Sequence, residues 1–415
     1  RLCCFIINVM EMKKALLFIF LFANLNICAQ RNEILDPNIA SLQVMVNNNW
    51  LSLPVMILNS DDFINIGFDD LTHEYQRYCY KIEHCESDWK VSTSLFESDY
   101  IDGFASNNLI DNIKESVNTN YQYTHYNITI PSNKCRPKLS GNYKVTIYDE
   151  NNEKRVICKA YFMIVDPSMS VHLNVTTNTD IDINEKHQQV EMSVGYGNNI
   201  VTNPTTQIKT VVMQNCRWDN AIINAQPQYI KPNGLEWAHC RAYIFNAGNE
   251  YHKFETLDVT HTTMGLESIN WDGNNYHAWV WTDEPKRSYV FDKDANGAFL
   301  IRNSDNIEND IASDYMITHF RLKTEKSIYP IYINGSFTND NFIPQYEMKW
   351  NEANQQYECN LLLKQGYYNY QYLMMKKDGQ LIPVPSEGNF FQTENTYQAL
   401  VYFRGSSDRT ARLVG

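Results

Sequence analysis

Beyond residue 30 the chain has no second long apolar run, no Cys-x-x-Cys pair and almost no helical periodicity. A membrane helix needs roughly twenty apolar residues, so the body is expected not to insert in a bilayer. Without paired cysteines a zinc site is not expected. No serine sits in a Gly-x-Ser-x-Gly elbow, and no His-Glu-x-x-His run, phosphate-binding P-loop or dinucleotide glycine fingerprint occurs. The commonest signatures of hydrolases, metalloproteases, nucleotidases and dehydrogenases are therefore missing. Basic residues are also scarce, 35 Lys and Arg against 48 Asp and Glu for a net charge of −13. Nothing here would neutralise a phosphate backbone, which argues against a nucleic-acid partner. A β-sandwich glycosidase escapes such tests because its two carboxylates need meet only in space. No pair among the 48 acids stands out, so no catalytic residue, metal ligand or cofactor is assigned and a non-enzymatic protein is expected.

What is present begins with residues 12–29. Lys13 and Lys14, the apolar stretch Ala15 to Ala23, and Ala29 ahead of Gln30 have the form of a cleavable secretory leader starting at Met12. The residues before Met12 belong with the leader, outside the fold. A lipid anchor on Cys28 is the rival reading, but Ile27 is bulkier than the lipidating machinery wants. Arg1, Lys13 and Lys14 against Glu11 give the leader +2, so −13 becomes −15 on the mature chain. Of 10 cysteines, Cys3, Cys4 and Cys28 leave with the leader. Cys79, Cys85, Cys135, Cys158, Cys216, Cys240 and Cys359 remain, an odd number at irregular spacing. That is no disulfide framework, and at least one free thiol is expected.

Short alternating apolar runs broken by Asn, Asp, Gly and Pro, with 27 tyrosines, predict an all-β protein of tandem sandwiches. The expected divisions are residues 1–29, upstream residues and leader; 30–167, an immunoglobulin-like sandwich; 168–325, a central β domain; 326–403, a third sandwich; and 404–415, a tail. Tyr78, Tyr80 and Ile82 alternate ahead of Trp89, as on the aromatic-bearing central strand of immunoglobulin-like domains. Leu-Ser-Gly-Asn-Tyr at 139–143 turns sharply into the next strand, and Asp166-Pro167 marks the boundary. In the central part, 289–291 and 299–301 are among the strands expected. The strands around Ile331–Phe337, Met348–Trp350, Tyr357–Leu363 and Gly366–Leu373 resemble the E-set sandwich of starch- and glycogen-binding modules. There Phe342 and Trp350 are the residues that could stack on a sugar, while Tyr367, Tyr368, Tyr370 and Tyr372 serve the core and cross-strand contacts.

Asp292, Asp294, Asn296 and Gly297 match the opening of a calcium loop, but its closing bidentate acid is missing, because Asn303 stands there. Asn296-Gly297 is a strong hairpin signal, and the hairpin is the preferred reading. Glu250, His252 and Phe254 would share one strand face, read as solvated rather than as acid–base machinery. Cys240 beside His239 is read as structural, lacking a third group to orient the pair.

In their order along the chain, Tyr78–Cys85 with Asp88-Trp89, Tyr100–Phe104, Tyr123–Tyr126, Gln214–Asn220, Gly248–Glu255, Phe291–Gly297 and Glu387–Phe391 ahead of Asn395–Tyr397 resemble the plug proteins of the type IX secretion system of Bacteroidetes. That resemblance implies a non-enzymatic periplasmic protein at the inner face of the outer membrane. Its partner would be a large outer-membrane β-barrel translocon, whose idle pore it would occlude as a monomer. Loops should carry such a reversible contact. Two segments are expected to do so: Asp99–Asn112, through Tyr100, Asp102 and Phe104, and the 404–415 tail, through Arg404, Arg409 and Arg412. An exported carbohydrate-binding sandwich, or a glycosidase, is the alternative.

Overall fold

The computed structural model describes residues 31–415; the leader, Cys28 and the cleavage site lie outside the described residues. Strand Tyr78–Cys85 turns Tyr78, Tyr80 and Ile82 inward, each no more than 4% exposed, while Lys81 and Glu83 face outward. This period of two buries one face of the sheet and wets the other. Tyr78–Cys85 lies in a sheet with Gly141–Asp149, Asn152–Val165, Glu33–Ile34 and Asn108–Leu109, to which Val55–Ile57 adds in parallel. The facing sheet runs Ile39–Val46, Ile64–Asp70, Thr124–Ile130, Asn112–Glu115. Ile64, Ile66 and Phe68 on one sheet and Ile82, Tyr143 and Val145 on the other belong to the same core.

Gly141 shows why the 139–143 turn needs its glycine. Its φ is +141°, and a Cβ there would lie 2.5 Å from His84 Nε2. The next strand then places the Tyr143 hydroxyl to donate to the Leu139 carbonyl at 2.8 Å, the tyrosine corner of immunoglobulin-like sandwiches. Trp89 departs from the expected pattern. It has a φ of 64° and packs edge-on against Tyr161 and Trp218, outside the sandwich core. It belongs to a separate apolar junction with Met163, Met213, Leu400, Tyr402 and Leu413.

The middle of the protein holds one sheet of Ser170–Thr176, His187–Gly195, Gly234–Trp237 and Tyr229–Lys231, with Ile244–Asn246 paired to His187–Gly195. The second sheet of this middle layer corrects the expected divisions. Ile208–Gln214 takes the short strand Ile222–Ile223 on one edge and on the other pairs with the distant Tyr397–Phe403, in register from Ile208 opposite Phe403 to Gln214 opposite Tyr397. The tail expected to run free past residue 403 instead forms strand Arg412–Leu413 on the same sheet, with Leu413 and Val414 fully buried.

A cut at 325/326 also divides a ten-stranded sheet. Its order is His252–Glu255, Gly366–Met375, Ile331–Asn334, Glu347–Asn351, Gln356–Lys364, Tyr315–Leu322, Tyr276–Val280, Leu266–Trp271, with Phe299–Ile301 and Leu381–Pro383 also on Gly366–Met375. Tyr368, Tyr370 and Tyr372 are each 1% exposed and sit in this core, as expected of that run. The strand expected at 289–291 does not form, and Val290 and Phe291 stand 71% and 54% exposed. Residues 31–415 form one contact unit.

Candidate functional site

The two segments singled out by sequence lie against each other. Arg409 pairs with Asp99 at 2.9 Å, and the Ser94 hydroxyl donates to the Arg409 carbonyl at 3.0 Å. Within them, Tyr100 is 6% exposed in the first core, so it is a core residue rather than a contact. Asp102 is exposed on strand Ile101–Gly103 and Phe104 is 70% exposed, so both remain accessible. The arginines are engaged at home. Arg404 donates to the Arg409 carbonyl at 2.8 Å, while Arg412 lies 3.7 Å from Asp166, 3.5 Å from Asp408 and over the Phe403 ring.

The sugar-stacking residues are likewise taken up. Phe342 is half-buried, with Tyr332 edge-on and the Arg31 guanidinium 5.3 Å from its ring centre. Trp350 is half-buried against Tyr357, with the Lys326 ammonium 5.7 Å from its ring centre.

Sequence reasoning missed His252. On strand His252–Glu255 it lies largely covered between two carboxylates, Nδ1 2.8 Å from Asp283 Oδ1 and Nε2 2.5 Å from Glu387 Oε2. Its ring stacks on Tyr370, and the Tyr370 and Tyr372 hydroxyls donate to Asp283 Oδ2 at 2.9 and 2.7 Å. Burial alone would lower the imidazole pKa; Asp283 and Glu387 outweigh it and hold it up to about 9. Burial alone would raise Asp283; the imidazolium and the two hydroxyls reverse that and keep it below the ordinary carboxylate range. The result is a fixed buried charge network that braces the segments around it. Its members come from four distant stretches of chain, and no short spacing announces them.

Above this network opens a cleft of about 550 Å³ whose lining includes Met264, Trp281 and Val290, exposed by 41%, 58% and 71%. Large apolar side chains exposed together mark an interaction surface more often than scattered ones do. Lys253 pairs with Asp292 at its edge. The neighbouring 292–297 segment is neither hairpin nor open calcium loop. Asn296 and Gly297 make the turn, with φ of 50° and 88°, but no strand precedes it, and Phe299–Ile301 pairs with Gly366–Met375 instead. Asp294 turns inward to accept from the backbone N–H groups of Asn296 and Tyr251, and burial pushes its pKa up to about 6. Among the described residues no three His, Cys, Asp or Glu side chains converge as metal ligands. The seven described cysteines are all free. Burial pushes the thiols of Cys85 and Cys135 up to about 12 and that of Cys359 to about 11, so none of the three is primed as a nucleophile.

The protein is thus one of tandem β-sandwiches with exposed apolar side chains gathered at a cleft. Residues 39–166 match the family described as type 9 secretion system plug protein, 1st domain. Residues 39–166 thus carry the first domain of a type 9 secretion system plug protein, which supports a role related to type IX secretion. It is also similar to a hypothetical protein from Parabacteroides merdae ATCC 43184, known from a crystal structure at 2.30 Å. The two share 36% identity over 93% of this chain and 98% of that one, with a TM-score of 0.89. No curated protein matches the chain. The family points to a periplasmic or envelope-associated protein, and no described helix is long and apolar enough to cross a membrane.

Proposed function

We propose that this protein docks, from the periplasm and at the inner face of the outer membrane, on the periplasmic mouth of the type IX translocon and occludes its idle pore without enzymatic chemistry. The observation that carries the reading is the plug-family match over 39–166. A pore wide enough for folded cargo would leak small solutes unless its resting state were closed. The stopper must also come away, which favours a polar-rimmed contact of moderate area made by loops. Phe104, Trp281 and Val290, all exposed by more than half, are the apolar side chains best placed for it.

Gentle detergent extraction of the native envelope tests the reading. The protein should come out attached to a very large outer-membrane barrel, and its deletion should raise permeability to small antibiotics that the envelope normally excludes. If neither effect is seen, the reading is wrong.

A further inference from the structure

In a protein of net charge −13, one cleft is lined by Lys186, His187, Arg241, Lys286, Arg287 and Lys376 and by no Asp or Glu. It has a volume of about 830 Å³. The cleft opens where strands His187–Gly195 and Ile244–Asn246 of the middle layer meet Leu381–Pro383 at the margin of the ten-stranded sheet. Some of these cations are already occupied. His187 pairs with Asp182 at 2.6 Å, Lys286 lies 4.0 Å from Glu387, and Lys376 donates to Gln380 at 2.9 Å. Lys186, Arg241 and Arg287 are exposed and make no ion pair within 4.0 Å among the described residues, although Arg241 lies near enough to Asp180 to help lower its pKa. Acids outnumber bases on this chain and neutralise most cations elsewhere, so three unpaired ones around a single cleft form a local positive field.

Ile244, Ile382, Val384 and Phe390 are also in the lining, Val384 almost fully buried and the others partly. We infer that the cleft receives an extended acidic polypeptide segment of the partner, whose carboxylates meet Lys186, Arg241 and Arg287 and whose apolar side chains rest on the partly exposed Ile382 and Phe390. The inference rests on the docking reading for which protein supplies the segment, not for the chemistry of the cleft. Cations drawn from three separate stretches of chain around about 830 Å³ offer successive contacts along a segment, whereas a phosphate needs its donors at one point. An anionic bilayer would meet the net negative charge of the whole body, whereas a single chain can enter the cleft alone. Charge pairs of this kind set on-rate and partner choice, in keeping with a seal that must open.

The test uses the full protein and a short fluorescein-labelled peptide repeating Glu-Leu-Glu-Ser, followed by anisotropy. Binding should weaken by about ten-fold or more between about 50 and about 300 mM salt. The triple variant Lys186→Glu, Arg241→Glu, Arg287→Glu should lose about ten-fold or more, with an unchanged melting curve. A peptide with Gln for Glu should not bind. If the triple variant does not fold, the single variants Lys186→Glu and Arg287→Glu, both at exposed positions, decide in its place. Equal binding by the variants, displacement of the peptide by millimolar inorganic phosphate, or equally tight binding to phosphatidylglycerol vesicles overturns the inference. In envelope extracts, a triple variant that still brings down the barrel as wild type does also overturns it while leaving docking intact. If wild type brings down no barrel, the docking reading falls and the peptide measurement alone judges the cleft.

Discussion

Lys364 Nζ lies 2.6 Å from Asp69 Oδ2, although 295 residues separate them and neither side chain is more than 2% exposed. Asp69 stands on strand Ile64–Asp70 of the first sandwich and Lys364 ends strand Gln356–Lys364 of the ten-stranded sheet, so the pair fastens one layer to the other. The remaining valences are filled. His125 Nδ1 is 2.6 Å from Asp69 Oδ1, the Tyr315 hydroxyl donates to Asp69 Oδ2, and the ammonium sits 4.1 Å from the centre of the Tyr123 ring. Burial would raise the Asp69 pKa; the Lys364 ammonium and His125 outweigh it and hold the carboxyl below its usual range.

Removing one partner of a buried pair strands the other, and that dominates the cost. Lys364→Met is expected to destabilise the protein by about 3–5 kcal/mol. The double variant Lys364→Met, Asp69→Asn should recover part of the loss, because the stranded carboxylate is gone. Urea unfolding of the two variants checks this. A loss below ~1 kcal/mol in the single variant would show that the pair does not fasten the layers.

His252 predicts an alkaline loss of stability. Its pKa is raised from 6.5 to about 9, so its contribution is complete below 6.5 and disappears as pH rises through about 9. The difference corresponds to ~3 kcal/mol at most. Asp69 and Asp283, both lowered from 3.8, act at the other end, their contribution present above 3.8 and lost on acidification. Melting temperature should therefore decline from pH 6.5 upward, before the buried thiols begin to matter. Asp283→Asn should shrink that decline by removing one of the carboxylates that raise the imidazole. A wild-type curve flat from pH 6.5 to 9 would contradict the assignment.

Trp281 and Val290 are exposed by 58% and 71%, so replacing either with Asp should change stability by no more than about 0.5 kcal/mol. If their cleft faces the translocon, the double variant should fold normally yet fail to co-purify with the barrel. Full recovery of the complex would move the contact elsewhere, with Phe104→Asp as the next variant to examine.

Thiol titration gives a further check. Six of the seven described cysteines are buried and Cys216 is nearly so, its thiol pushed up to about 12 by burial. Fewer than one thiol per chain should react with a thiol-specific reagent under native conditions, and all seven on denaturation. Rapid native labelling of several would mean that these cores open readily.

Much of the strand pattern was legible because half-buried sheets impose alternation on sequence. Phe299–Ile301 emerges at the expected bounds, and Tyr368, Tyr370 and Tyr372 fall in the core where their spacing puts them. Pairing partners were not legible, because alternation says which face a residue takes but not which strand lies beside it. That is why Tyr397–Phe403 looked like the end of the third sandwich and is instead the neighbour of Ile208–Gln214. Trp89 was misplaced for a related reason, since its position after an immunoglobulin-like strand does not reveal that Trp218 waits across a junction. His252 was misread because its carboxylates, Asp283 and Glu387, stand 31 and 135 positions away in the chain. Tyr100 was misassigned because loop segments also contribute anchors to a core.

The pairing of Ile208–Gln214 with Tyr397–Phe403, flanked by Arg412–Leu413, also imposes an order of assembly. When the chain is delivered from its N-terminal end, the two sheets of the first sandwich have all their strands by Val165. The middle layer cannot close until almost the last residues arrive, and until then Ile208–Gln214 offers an open edge that invites pairing with other chains. A chain cut short after the ten-stranded sheet would thus be left with an adhesive seam, so that completion of synthesis and freedom from aggregation become the same event.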